Sequence, residues 1–281
     1  MMNNICICGA GTMGSGIAQV AAQSGFPTIL YDVNESMISR ASSKLENDLS
    51  ALVSKNKITA QQKEETLGRL RFTSNARDCK ADLIIEAIIE KADIKAELFN
   101  QLAEFNNSTT IFATNTSSLS VTELASRITH PERVVGMHFF NPAPLMKLVE
   151  VVAAKQTAQE VVNAIYELSR QMGKTPVICK DAPGFIVNHV ARPYYLEALK
   201  LVELGVSDFE TIDKLLEASG FKMGPFRLMD LIGNDVNYAV SCSVYEAMNQ
   251  PLRLKPSPIQ KERVDKGELG RKTGRGYYSY T

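Results

Sequence analysis

The stretch ICICGAGTMGSGIAQVAAQSG, residues 5–25, decides how the rest of the chain is read. Four apolar residues run into Gly9-x-Gly11-x-x-Gly14, and an alanine-rich stretch of helical character follows. Strand, turn and helix in that order give each glycine a task. Gly9 makes the tight turn, Gly11 lets the backbone approach a pyrophosphate, and Gly14 lets the helix pack close to the sheet. The helix N-terminus then offers N–H groups and partial positive charge to the phosphates. The next apolar run, TILYD, ends in Asp32, placed where a carboxylate accepts a hydrogen bond from a ribose 2′-hydroxyl. An acid there repels a 2′-phosphate, and Val33-Asn34 adds no cation. NAD is therefore expected rather than NADP.

Outward from this unit, short apolar runs alternate with amphipathic stretches as far as residue 183. The runs are Ile5–Cys8, Thr28–Tyr31, a strand near Arg71-Phe72, Leu83–Ile85, Ile111–Ala113, Val134–Met137, Leu148–Val152 and Val177–Cys179. Unbroken apolar runs suit strands buried on both faces, and helical patterns between them suit βαβ units in a doubly wound α/β sheet. The long crossover after Tyr31 holds two helical patterns, 35–54 and 60–68, with Lys55 and Lys57 between them. It reads as a helical hairpin inserted in the domain. The pattern changes at Asp181-Ala182-Pro183-Gly184. Residues 1–183 form the expected nucleotide-binding domain and 184–281 a smaller all-helical one. In the latter, a helix is expected over 185–204, bent near Pro193. A second should start at a Ser207/Glu210 capping box and end near Gly220, and a third should cover 226–249.

Bulk properties narrow the function classes. The 281 residues carry 31 basic and 31 acidic side chains, so no net charge draws the chain to nucleic acid or anionic membrane. No apolar stretch approaches membrane-spanning length, and the N-terminus does not read as a signal peptide. Five cysteines without a C-x-x-C read as reduced thiols of a cytoplasmic protein, with Cys6 and Cys8 on one buried strand face. No metal-ligand spacing occurs.

Only three histidines are present. His130 precedes Pro131 and reads as a surface residue, and His189 lies near the start of a helix. His138, in MHFFNPAP, stands at the C-terminal end of a strand, the edge at which open α/β sheets bind ligands. It is either a packed core histidine or a proton carrier. NPAP is a turn, and if the flanking strands fold back around residue 144, then 138 and 150 lie equally far from it. Residue 150 is Glu150, a lone acid in the apolar stretch KLVEVVAA. A buried carboxylate needs a partner, and an imidazole supplies one.

With these residues in view, the chain resembles the L-3-hydroxyacyl-CoA dehydrogenases, and most closely the short bacterial 3-hydroxybutyryl-CoA type. The resemblance is carried in order by GAGTMGSGIAQVAAQSG, EAIIEKADIKAELF, TNTSSLSVTELA, GMHFFNPAPLMKLVEVV, KDAPGFIVN, RPYYLEA, GPFRLMDLIGNDVN and LGRKTGRGYY. It implies a Rossmann-type domain with some later strands antiparallel, followed by a helical domain that dimerises. It implies reversible hydride transfer between C3 of an acyl-CoA and NAD, with His138 as general base and Glu150 as its partner. Ser117 and Asn188 would contact the substrate oxygen, placing the site between the two domains. Thr12, Met13, Glu90, Lys95, Asn115, Ser117 and Asn141 would join Gly9, Gly11, Gly14 and Asp32 around the cofactor. Lys55 and Lys57 would meet the CoA nucleotide.

The chain departs from its relatives in three places. Asp48 stands where some carry a CoA-contacting serine, His189 where arginine is frequent, and Arg227 where glutamate is common. Two other readings keep the fold and change the function. One is a related dehydrogenase for a non-CoA hydroxy acid such as a sugar acid, and the other is a non-enzymatic nucleotide-binding protein.

Overall fold

The apolar runs form one eight-stranded sheet in the computed structural model, which describes residues 2–280. The strands are β1 (Ile5–Cys8), β2 (Thr28–Tyr31), β3 (Leu70–Thr73), β4 (Leu83–Glu86), β5 (Ile111–Thr114), β6 (Val134–Phe139), β7 (Leu148–Ala153) and β8 (Thr175–Lys180). Their order is β3-β2-β1-β4-β5-β6-β7-β8. Neighbours from β3 through β6 are parallel, β7 is antiparallel to β6, and β8 is parallel to β7. The strand order reverses at β1, whose neighbours β2 and β4 lie on opposite sides. A ligand crevice opens beyond the carboxyl ends of the strands at such a switch point.

Each face of the sheet is covered by helices. On one face Ile5, Ile7, Leu30, Ile85 and Met137 share a core with α1 (Thr12–Gln23) and α6 (Gln159–Gln171). Cys6, Cys8, Phe112 and Val134 point to the other face, where Phe99 of α4 (Ala92–Ala103) meets Phe112 edge-on at 5.3 Å between centroids. Cys6 and Cys8 share that buried face, as expected, with Sγ atoms 4.0 Å apart. All five cysteines are free thiols.

The expected hairpin is present as α2 (Glu35–Ser54) and α3 (Ala60–Gly68). Asn34 caps α2, whose Ala41, Leu45 and Leu49, four apart, are its buried residues. Thr59 and Gln62 form a capping box on α3. A short α5 (Val121–Ala125) follows β5.

Contacts divide the chain into two units, the first ending at Asp181 and the second beginning at Ala182. The second is built from α7 (Val187–Glu203), α8 (Phe209–Ala218), α9 (Pro225–Ile232), α10 (Asn234–Ala247) and α11 (Pro258–Asp265). Three expectations need correction here. Helix α7 starts at Val187 rather than 185, because Phe185 adopts a left-handed φ of 50°. The cap of α8 is Asp208, which accepts from the Thr211 amide, not Ser207. The expected helix over 226–249 is two helices, α9 and α10, broken at Gly233 with φ 104°. A buried Asp230 then gathers the end of the chain, accepting from the Tyr277 and Tyr278 amides and the Tyr280 hydroxyl, each at 3.0 Å. That is the structural work of the closing LGRKTGRGYY segment. Among the described residues, no helix is long and apolar enough to cross a membrane.

Candidate active site

The glycine turn has the geometry its sequence requires. Gly9 has φ 105°, and a Cβ there would lie 2.6 Å from the Ala87 carbonyl oxygen. A Cβ on Gly14 would fall 1.7 Å from the Gly9 carbonyl oxygen, so the first turn of α1 rests directly on the loop. A Cβ on Gly11 would meet no protein atom within 4 Å. That leaves open space of the kind a pyrophosphate needs beside the backbone. The first turn of α1 also holds no acid, which leaves its N–H groups and positive end to an anion. Thr12 begins that turn, and Met13 packs against the core. Asp32 reaches the same loop, accepting from Ala10 N at 2.8 Å and Asn34 N at 3.0 Å. Replacing Asp32 with serine is expected to cut the preference for NADH over NADPH by roughly tenfold, by removing one charge beside the 2′-position. Steady-state kinetics with both cofactors measure this, and equal wild-type efficiency with the two would contradict the role of Asp32.

At the ends of β4 and β5 the structure assembles an ionic network. Lys95 is fully buried and donates to Glu86 at 2.5 Å and to Glu90 at 3.0 Å. Glu86 also accepts from the Thr114 hydroxyl and the Ile88 amide, each at 2.7 Å. Burial pushes the Glu86 carboxyl above its ordinary pKa, with Lys95 and Thr114 opposing the shift. For Glu90, burial also acts upward, but Lys95, the Thr116 hydroxyl and the Ser117 amide outweigh it and hold the carboxyl below its ordinary value. Glu90 thereby fixes the TNTSS loop, accepting from the Thr116 hydroxyl and from Ser117 N at 2.9 Å. Asn115 ties neighbouring strand ends: its amide donates to the Glu86 carbonyl, and its Oδ1 accepts from Phe139 N, each at 2.8 Å. Asp181 closes the loop from the other side through Ser120 Oγ at 2.7 Å and Thr122 N at 2.8 Å.

His138 and Glu150 are register partners across β6 and β7. Nδ1 of His138 lies 2.7 Å from Glu150 Oε2, and both side chains are buried. In register with Thr114, Gly136 shares its face of the sheet, and His138 follows two residues on, at the carboxyl end. Its ring packs against Phe140 with centroids 4.5 Å apart. The neutral tautomer that suits this pair carries its proton on Nδ1, donated to the carboxylate. His130, by contrast, is an exposed residue near Glu132.

A cleft of about 420 Å³ lies between α1, the hairpin helix α2 and the segment Asn141–Leu145. Thr12, Asn141 and Lys55 line it, whereas Lys57 is not among its lining residues. Asp48, on the same wall, is ion-paired with Lys44, so the departing carboxylate is not an isolated negative charge. The Asn141–Pro142 peptide is cis. Buried Lys174 holds this segment from below, donating to the carbonyls of Ala143 at 2.5 Å and Met146 at 2.9 Å.

Comparison with known proteins matches residues 4–182 to the NAD binding domain of 3-hydroxyacyl-CoA dehydrogenase and 184–280 to its C-terminal domain. The chain belongs to the 3-hydroxyacyl-CoA dehydrogenase family. It is 40% identical to a probable 3-hydroxybutyryl-CoA dehydrogenase of Deinococcus radiodurans, over 98% of this chain and 99% of that one. It is 48% identical to the 3-hydroxyadipyl-CoA dehydrogenase of Escherichia coli K12, covering 99% of this chain but only 59% of the length of that relative. The crystal structure of an (S)-3-hydroxybutyryl-CoA dehydrogenase from Ralstonia eutropha superposes over the full length of both chains with a TM-score of 0.94 and 36% identity.

In this 3-hydroxyacyl-CoA dehydrogenase family member, the structure brings together three sets of the expected residues. They are the glycine turn with Asp32, the Glu90–Lys95–Ser117 network, and the His138–Glu150 pair. Asn188 belongs to the second unit, in the first turn of α7, where Arg192 Nε donates to its carbonyl at 3.0 Å. His189 Nδ1 lies 3.0 Å from the Pro183 carbonyl oxygen, and Arg227 stacks over Tyr278 at 4.4 Å. Sequence reasoning missed Glu86, Thr116, Lys174 and Asp181. The signal for Glu86 was available: it is a lone acid closing an apolar strand, the feature that singled out Glu150.

Proposed function

We propose that the chain interconverts L-3-hydroxyacyl-CoA and 3-ketoacyl-CoA with NAD, favouring short acyl chains. The observation that carries this is the His138–Glu150 pair, 2.7 Å apart across an antiparallel ladder in an NAD-binding domain. In the oxidising direction His138 takes the proton of the 3-hydroxyl on Nε2, since Nδ1 is committed to Glu150. Glu150 fixes the ring and balances the imidazolium that forms. Ser117 and Asn188 orient the reacting oxygen. NAD bound by the glycine turn and Asp32 would supply the acceptor for the hydride of C3. Glu90 and Lys95 would shape its pocket, and Asn141, in the cleft wall, would hold its nicotinamide half.

The test is NADH oxidation with acetoacetyl-CoA, longer 3-ketoacyl-CoAs, 3-oxoadipyl-CoA and free acetoacetate. Fastest turnover of acetoacetyl-CoA supports the proposal. Comparable rates with free acetoacetate would favour a non-CoA hydroxy acid, and no turnover of any compound would favour a binding protein.

Lys55 and Lys57 are proposed to receive the anionic CoA tail, supported by the place of Lys55 in the cleft wall. The double alanine variant is expected to raise the acyl-CoA KM about tenfold and to weaken its salt dependence, with NADH affinity unchanged. An unaltered KM would leave both as solvated surface lysines.

The second unit is proposed to pair two copies into a homodimer, supported by Leu204, Val206, Leu215 and Leu252, each more than 60% exposed. Sedimentation velocity distinguishes this from a monomer. The five free thiols support a reducing, cytoplasmic setting, which cell fractionation tests.

A further inference from the structure

The Glu86–Lys95–Glu90 network contains more charge than loop positioning needs. Two carboxylates face one ammonium, which leaves one negative charge unbalanced. Glu86 and Lys95 are 0% and 1% exposed, so water screens that pair poorly and reaches the network through the partly exposed Glu90. The network also stands at the switch point. Glu86 ends β4 in register with Cys8, the residue before the glycine turn. Ala87 donates to the Cys8 carbonyl at 2.8 Å, and the Ala87 carbonyl oxygen lies 2.6 Å from where a Cβ of Gly9 would be. A dinucleotide crossing this crevice from the β2 side to the β4 side brings its nicotinamide half past the network.

The two redox forms of the cofactor differ there by one charge. The nicotinamide ring of NAD⁺ is cationic and that of NADH is neutral, while the adenosine and pyrophosphate parts are identical. We propose that the Glu86–Lys95–Glu90 network is a charge selector that strengthens binding of the oxidised cofactor relative to the reduced one. Glu86 acts at a distance, as a buried counter-charge that also anchors Lys95. Glu90 supplies the second negative charge nearer the ligand, and Lys95 keeps the carboxylates from repelling one another. Burial pushes the Glu86 carboxyl up, and Lys95, Thr114 and the Ile88 amide act against that push in favour of the ionised form. The inference rests on NAD occupying the crevice of the first unit.

The experiment is separate titration of NAD⁺ by calorimetry and NADH by fluorescence, without acyl-CoA, for the wild type, Glu86→Gln and Glu90→Gln. Each variant removes one negative charge. Each is expected to weaken NAD⁺ binding about tenfold more than NADH binding, the order of effect of removing one charge that acts through a partly screened interior. The ratio of the two dissociation constants is the readout, because general damage to the pocket weakens both forms alike. Equal weakening of both forms, with an unchanged ratio, overturns the proposal and leaves the network a positioning device for the Ser117 loop. If Glu86→Gln does not fold, Glu90→Gln, whose side chain is partly exposed, decides the outcome alone. A wild-type protein that binds neither form would overturn the cofactor reading itself, a result distinct from an unchanged ratio.

Discussion

His138→Gln is expected to lower kcat by about 10²–10⁴ while the protein still folds and binds NADH, the usual worth of a positioned acid–base group. Glutamine is the informative replacement. Its amide can donate to Glu150, which lies 2.7 Å from the imidazole, so the buried carboxylate keeps a donor and the fold is not charged with an unpaired ion. What is lost is the proton acceptor. Glu150→Gln should also lower kcat, because the imidazolium loses its counter-charge. The double variant should fall well short of the summed losses if the two act as a unit. Rapid kinetics with acetoacetyl-CoA and thermal melts measure both sides. A folded His138→Gln protein with near-normal turnover would return His138 to the core-residue reading and make His189 the next residue to test.

The second large effect concerns the glycine turn, where two substitutions of the same size should behave differently. Gly14→Ala puts a methyl group 1.7 Å from the Gly9 carbonyl oxygen, a backbone atom with no freedom to rotate away. The turn or the helix must move, so a stability loss at the upper end of about 1–3 kcal/mol is expected. NADH affinity should fall about 100-fold, roughly 2.7 kcal/mol, as the N–H groups of α1 leave their alignment. Gly11→Ala meets no protein atom within 4 Å and has an ordinary negative φ of −70°. It should melt like the wild type yet bind NADH more weakly, because its methyl group enters the space the pyrophosphate needs. Calorimetric melting and NADH fluorescence separate the two variants. Unaltered stability and affinity in Gly14→Ala would mean that the close packing of α1 on the turn is not required.

The strands were legible because apolar runs announce them, and the site was less legible for the same reason. The run Leu83–Ile85 was visible, but β4 extends to Glu86, β5 extends to Thr114, and β6 runs through His138 to Phe139. Each strand continues past its apolar signal onto the polar residue that enters the site. Glu150 could still be found, because a symmetric hairpin turn makes its partner a matter of counting. The partnership of Glu86 with Lys95 could not, since one closes a strand and the other sits in the first turns of a helix. The Ser207/Glu210 spacing points to Ser207 as the cap, but serine and aspartate both cap well and the sequence does not say which carries the extended φ and ψ. The break at Gly233 was hidden because apolar residues continue on both sides of it.

The β6–β7 hairpin separates two kinds of change. Because His138 and Glu150 face each other in the ladder, their spacing is set by strand register and not by the eight residues Phe140–Lys147 that join the strands. Lengthening or shortening that connection would alter the wall of the cleft while the His138–Glu150 pair stays in place. A one-residue slip within either strand would instead put His138 and Glu150 on opposite faces of the sheet. The cleft wall can therefore be reshaped by inserting or deleting residues in the connection, and the spacing of the pair is guarded by the rungs on either side of it.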